Sequence, residues 1–339
     1  MAQTKKYSKK KHLPLKVSSN ENWEDLHKTP RRYANTNADW KVQFMNLPMD
    51  EKNKLMFKYA LLGNKKMLKF LYENCECDFN TFDNDGNTPL MFTVKSGSRE
   101  ATEYVLNKGA HPNYKNVFGV TPLHLATRKN SETLVRVLLE FGADINMPDA
   151  YNQPPIFDAV QENNASMIRY LYDNGAVIDH QNTDGKTPLM VASFDKHRQE
   201  VLCELIHLGA DVQIQDNLGR TAFMHAINNN NGAMMDILLK AGSQINISDF
   251  NGYTPLMLCA KRGNREGTRV LVARGGDVFA KNTKNQTAYD IARACKNPTC
   301  AEILAKAERI YNSDLTPTQK QEQLKIFATQ NRMQNSCIR

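Results

Sequence analysis

No run of apolar residues in this chain is long enough to cross a bilayer. One of the longer, at 134–139, is interrupted by Arg136 and spans less than two helical turns. Tryptophan is scarce, with only Trp23 and Trp40, and the seven cysteines are odd in number and irregularly spaced. Such a set, falling within helical patterns, argues against a disulfide framework and for reduced thiols, several of them buried. Cys75 and Cys77 are the only close pair, with no second pair or histidine cluster at metal spacing, so no zinc site is expected. Gly-x-Gly-x-x-Gly, His-Glu-x-x-His and Gly-x-Ser-x-Gly are all missing. Gly185-Lys186-Thr187 imitates the end of a phosphate-binding loop, but His180 stands where that loop needs glycine. Asp179 with His180, and Asp195 with His197, have no nucleophile or metal partner beside them and read as surface pairs. No enzyme, no cofactor and no metal is expected.

The N-terminal MAQTKKYSKKKH has no apolar segment behind it, so no secretory signal is expected. Ala2 departs from the myristoylation pattern, and no cysteine stands four from the C-terminus for prenylation. The expected location is cytoplasmic, nuclear or both. The net charge of +8 is uneven: residues 1–52 carry +5, residues 313–339 carry +2, and 53–312 only +1. With 41% hydrophobic and 24% charged residues the chain has the composition of folded protein.

What the sequence does contain is a line that recurs: Thr88-Pro-Leu-Met, Thr121-Pro-Leu-His, Pro154-Pro-Ile-Phe, Thr187-Pro-Leu-Met, Thr221-Ala-Phe-Met, Thr254-Pro-Leu-Met, Thr287-Ala-Tyr-Asp. The starts lie 33, 33, 33, 34, 33 and 33 residues apart. A fixed period of this size marks stacked supersecondary units. Thr suits the N-cap, and Pro is tolerated next because the first helical N–H needs no partner. Five places on comes a small residue in most units (Ala126, Ala159, Ala192, Ala226, Cys259, Ala292), which lets first helices approach closely. A second helix follows, clearest in Leu134, Val135, Val137, Leu138 and Leu139, and ends at Gly109, Gly142, Gly175, Gly209, Gly242 or Gly275. Two residues before each line starts stands Gly or Asn, the residues suited to a tight turn with positive φ.

These units resemble the ankyrin repeat, whose pattern is D-x-x-G-x-T-P-L-H-x-A, a second helix and G-A-D-[IV]-N. Seven units from about 82 to 312 match it; Gly142-Ala-Asp-Ile-Asn146 and Asp216-Asn-Leu-Gly-Arg-Thr221 are close matches. A degenerate unit over about 55–80, with Ala60 and Leu68 in register, resembles an N-terminal cap. The resemblance implies an all-α repeat fold, an α-solenoid of stacked helix-loop-helix units with projecting β-hairpin loops. The expected organisation is a basic, largely disordered segment at 1–52, an ankyrin domain of a cap unit and about seven repeats at 53–312, and a C-terminal helix and tail at 313–339. The family's histidine survives only at His124; Met91, Phe157, Met190, Met224, Met257 and Asp290 replace it. The unit from Pro154 is the least regular, and the 34-residue interval puts one extra residue near 194–199. In a eukaryotic source, Asn146 and Asn246 resemble the family's β-hydroxylated asparagines.

Lys5, Lys6, Lys9, Lys10, Lys11 and Lys16 fit two readings: a solvated tail, or a nuclear-import signal or patch for nucleic acid or anionic lipid. Trp23 and Trp40 suit either packing on the first repeat or docking to a partner. Thr316-Pro317 reads as the start of a helix to about Arg332, with Leu324 and Phe327 placed to hold it on the last repeat as a lid or to engage a partner. In ankyrin arrays the finger tips and first helices line a concave groove. Its basic entries here are Lys95, Lys115, Arg128, Lys129, Lys186, Arg220, Lys261, Arg262, Lys281 and Lys284, against Asp85, Glu162, Asp184 and Asp195. Phe118, Tyr151, Phe250 and Tyr253 add aromatic area. The expectation is a monomeric adaptor that binds an acidic or phosphorylated protein segment there; the plain alternative is solubilising lysines. A second function class is a nuclear or nucleic-acid-associated regulator that uses the lysine-rich N-terminus.

Overall fold

The computed structural model describes residues 39–336; Trp23 and the lysines of 5–16 lie outside them. The chain forms two compact units that divide between Ala150 and Tyr151. The first contains α1 (Asp39–Met45), α2 (Met49–Leu61), α3 (Lys65–Asn74), α4 (Pro89–Ser96), α5 (Arg99–Asn107), α6 (Pro122–Arg128) and α7 (Glu132–Glu140). Helices α2, α4 and α6 stack as one layer, and α3, α5 and α7 stack as a second. The degenerate first unit is therefore a helix pair, α2–α3, with the short α1 before it.

The second unit contains α8 (Pro155–Gln161), α9 (Ala165–Asp173), α10 (Pro188–Ala192), α11 (Gln199–His207), α12 (Ala222–Asn228), α13 (Gly232–Lys240), α14 (Pro255–Arg262), α15 (Arg265–Ala273), α16 (Ala288–Ala294), α17 (Pro298–Tyr311) and α18 (Pro317–Ser336). The even-numbered helices α8 to α16 form its inner layer and the odd-numbered α9 to α17 its outer layer. No helix among the described residues is long and apolar enough to cross a membrane.

The recurring line does what its chemistry requires. At Thr88, Thr121, Thr187, Thr221, Thr254 and Thr287 the hydroxyl accepts the N–H of the third helical residue at 3.3–3.4 Å. Pro154 cannot do this, and α8 starts without a side-chain cap. The small residues five places on, Ala126 through Ala292, are completely buried between first helices. Met91, Met190, Met224 and Met257 are equally buried, so methionine at the family's histidine position contributes packing, about 1.5–3 kcal/mol per side chain. His124 keeps the polar role: its Nδ1 accepts from Thr121 N–H at 3.1 Å and completes a capping box. Asp290 does the same for α16, and the hydrogen bonds from Thr287 hold its carboxyl below the usual range.

The extra residue falls where the spacing places it. α10 is the shortest α-helix of the array, and a 3₁₀ turn, Lys196–Arg198, joins it to α11. The projecting loops close as single turns of hairpin form, by pairs of backbone bonds such as Asn116 N–H to Val120 O and Gly119 N–H to Asn116 O. Two bonds are too few for a ladder, and no β-strand forms among the described residues.

Helix α18 starts where Thr316 and Gln319 cap each other reciprocally. It lies on the outer helices α15 and α17, with Leu324 fully buried. Gln321 Nε2 donates to Ala273 O at 2.7 Å and Lys320 Nζ to Tyr311 O at 2.9 Å. The side chain of Phe327 lies outside the described residues.

Candidate partner-binding surface

Each finger is built around an Asx side chain five residues before the helix cap. In Asp83, Asn116, Asn182, Asp216, Asp249 and Asn282, Oδ1 accepts two backbone N–H groups, two and four residues on, at 2.7–3.0 Å. Asp and Asn both serve because the turn itself uses only Oδ1. Neighbouring fingers are then tied together by single backbone bonds. In the first unit Val117 N–H reaches Asp85 O, and Ala150 N–H reaches Phe118 O, both at 3.0 Å. In the second, Thr183, Asn217, Phe250 and Thr283 donate in turn to Tyr151, Asp184, Leu218 and Asn251 at 3.0–3.1 Å. The tips form a fixed row within each unit.

Several tips display apolar side chains, whereas those at 84–85, 183–184 and 283–284 are polar. Phe118 is 61% exposed, Tyr151 66% and Phe250 68%, and Val117 and Leu218 stand beside them with more than half of their surface open. Tyr253, also anticipated at this surface, is half-buried beneath Lys261, whose Nζ lies 5.2 Å from the ring centre. Val117, Leu218 and the exposed Phe194 carry no helix or turn signal in the sequence, and only the folded fingers and helix ends reveal them.

The basic residues divide into two groups. Lys95, Arg128, Lys129, Lys261 and Arg262 are exposed at the C-terminal ends of α4, α6 and α14, each the first helix of its repeat. Positive charge there also faces the carbonyl end of each helix, a favourable placement. Lys95 lies over Phe92 at 5.1 Å, and the stem of Lys129 passes over Gly97. Lys186 and Arg220 are half-buried and engaged within the second unit. Lys186 pairs with Asp184 at 2.9 Å and lies over Phe194; Arg220 Nε is 3.6 Å from Asp249 Oδ2. Lys5, Lys6, Lys9, Lys10 and Lys11 lie outside the described residues.

Two further polar arrangements belong to the array. At the turns after the second helices, amides join successive repeats. Asn80, Asn113, Gln213 and Asn246 each donate to the next repeat's terminal glycine carbonyl, at 2.8–3.3 Å. Each also accepts the N–H two residues beyond that glycine, at 2.7–3.1 Å. Asp179 occupies this place in its repeat and only accepts, from Asp211 N–H at 3.1 Å. Burial pushes its carboxyl above the usual range. Inside the same unit, His225 Nε2 lies 2.9 Å from Asp216 Oδ2, both residues buried, with the imidazole against Phe194 at 4.6 Å. Burial holds the pKa of His225 down despite the carboxylate partner. Asp195 caps the 3₁₀ turn through His197 N–H, and His180 bonds the Asn152 carbonyl, so those pairs serve the scaffold. Among the described residues no cluster of three or more His, Cys, Asp or Glu could hold a metal.

A family model described as ankyrin repeats matches residues 41–116, 112–182, 147–216, 189–282 and 223–318. Among curated proteins, the mouse B-cell lymphoma 3 protein homolog is 34% identical over 115 residues, which is 34% of this chain and 25% of that protein. Chicken inversin is 32% identical over 92 residues, 27% of this chain and 8% of inversin. The chain thus spans a quarter or less of these relatives. The crystal structure of the ankyrin repeat domain of Bcl-3, described there as a unique member of the IkappaB protein family, superposes with a TM-score of 0.59 at 31% identity. That match covers 66% of this chain and all of the other.

Proposed function

The chain belongs to the ankyrin-repeat family, whose arrays bind proteins, and on that premise we propose that it is an adaptor or scaffold capturing an acidic or phosphorylated protein segment. One observation supports this reading above the others: Lys95, Arg128, Lys129, Lys261 and Arg262 sit exposed at the ends of first helices, in units whose finger tips display Phe118, Tyr151 and Phe250. Aromatic tips supply desolvated anchors, while rim cations speed encounter and select charge. A phosphate adds about −1.5 to −2 charges at pH 7 and strong acceptor oxygens.

The test is removal of charge without change of shape. R128Q/K129Q in the first unit and K261Q/R262Q in the second each remove two exposed contacts of about 0.5 kcal/mol, about 1 kcal/mol in all, roughly a fivefold loss of affinity at that unit. Melting should move little. Undiminished binding of an acidic peptide rejects the reading.

The lysine cluster Lys5, Lys6, Lys9, Lys10 and Lys11 favours a second reading, a nuclear or nucleic-acid-associated regulator. Its affinity would fall with salt by a log–log slope of about −0.9 per phosphate neutralised on duplex DNA, and would vanish on deletion of residues 1–16. A salt-insensitive complex rejects that alternative.

A further inference from the structure

The last repeat departs from the pattern of the array at three places that meet on one surface. Two positions after each repeat line starts stands a fully buried apolar residue, such as Leu123 or Leu256; in the last repeat it is Tyr289, half-buried. Six positions after the start, the residue is buried in every earlier repeat, as Thr127, Ile227 and Ala260 are; here it is the exposed Arg293. The residue joining the two helices takes positive φ and is Gly97, Asn130, Asn163, Asn230 or Gly263 elsewhere; here it is Lys296, at φ +57°. A lysine in the left-handed region is a disfavoured choice that the fold does not need, since Gly or Asn serves at the other five such junctions.

Tyr289, Arg293 and Lys296 line an open pocket of about 510 Å³ together with Asn297, Pro298 and Ala301. The Arg293 guanidinium lies over the Tyr289 ring at 5.9 Å, which limits its directions. Asn297 Nδ2 donates to the carbonyls of Ala260 and Lys261, at 2.9 and 3.2 Å, tying the pocket wall to the end of α14 that bears Lys261 and Arg262. Asp290, the carboxylate that senses Arg293, is committed to capping Thr287. No residue of α18 lines the pocket.

We propose that this pocket seats a phosphate monoester carried on a protein side chain, with Arg293 and Lys296 as its charged ligands and the Lys261–Arg262 end of α14 receiving acidic residues beside it. The assignment rests on the reading that the array captures an acidic or phosphorylated segment. It adds where the phosphate binds.

The test uses the full chain and a fluorescent, Asp/Glu-rich peptide with a central phosphoserine, against the same peptide with serine. The variant R293A/K296G restores residues the array itself uses at these positions, and should melt no lower than wild type. Wild type should prefer the phosphopeptide by about tenfold or more, and the variant should bring that preference within about twofold. No preference in wild type, or a preference kept by the variant, overturns the assignment. Equal binding of both peptides, lost in R128Q/K129Q/K261Q/R262Q, overturns the pocket and leaves the broader reading intact. Phosphopeptide binding that needs Arg293 and Lys296 but none of those four residues keeps the phosphate site, overturns the part given to Lys261 and Arg262, and rejects the groove. Free O-phosphoserine competing at the peptide's own concentration would assign the pocket to a small ester and overturn the peptide-borne source.

Discussion

Replacing Asp179 with Asn should stabilise the second unit, and the gain should grow as pH rises. At the four described amide rungs, one side chain both accepts an N–H and donates to a glycine carbonyl. Asp179 makes only the accepting half, from Asp211 N–H, and as a carboxylate it has nothing to offer the Gly209 carbonyl. D179N supplies the missing donor, which is about 0.5–1.5 kcal/mol for a hydrogen bond. It also removes a charge whose pKa is raised, first by burial and then by repulsion from Asp211, against the lowering effect of the Asp211 N–H. A carboxyl with a raised folded-state pKa binds more protons folded than unfolded, so its contribution to stability falls as pH rises through the window above its unfolded value of about 3.9. The penalty is complete once pH exceeds the folded-state pKa. The variant should therefore gain about 1–2 kcal/mol at pH 7, about 2–8 °C in the melting of a unit this size, and distinctly less near pH 4. Thermal melts by circular dichroism across that range measure it, with exchange of the Asp211 amide as a local check. A gain absent at pH 7, or the same at pH 4, refutes the reasoning.

Other outcomes follow from the same geometry. Gly119→Ala puts a Cβ 2.5 Å from the Ala150 nitrogen at φ +74°, whereas Gly142→Ala at φ +81° meets nothing within 4 Å. Melts should show G119A costing more than G142A, with the latter near the roughly 1 kcal/mol of left-handed strain alone. His225→Leu leaves the buried Asp216 oxygen without its donor and should cost about 3 kcal/mol in chemical denaturation. Adding Asp216→Asn, the residue used at 116, 182 and 282, should recover about 1–2 kcal/mol. Because the folded-state pKa of His225 is lowered, the unfolded chain binds its proton first. Wild type should lose stability as pH falls below about 6.5, and H225L/D216N should lose less. Leu324→Ala removes the fully buried contact of α18, and hydrogen exchange should show that helix losing protection while α14 and α16 keep theirs.

The repeats were legible because their signals are local: a Thr cap, a proline one residue on and a small residue five on require only the residue's own helix and its neighbour. Fingers were legible for the same reason, except that too few bonds close each turn to make strands. The roles of Lys186 and Arg220 were not, since their partners Asp184 and Asp249 share with them the charge pattern of any solvated loop. Arg220 and Asp249 lie in neighbouring repeats and meet only on folding. Helix α18 announced its start at Thr316 but not its seat, because Gln321 and Lys320 bind backbone carbonyls, which have no side-chain signature. Helix α1 and the start of α2 at Met49 carry no repeat line and fall before the expected start of the domain at 53. Arg293 and Lys296 look like ordinary surface charge until the pocket shows that both replace scaffold residues.

The central claim is tested most directly by a hydrogen-exchange footprint of the full chain with a bound acidic phosphopeptide. Protection should gather on the finger tips around Phe118 or Phe250, on the ends of α4 and α6 or of α14, and at Arg293 and Lys296, leaving α5, α7, α13 and α15 unchanged. A footprint confined to those four helices, or to residues 1–38, would contradict the account.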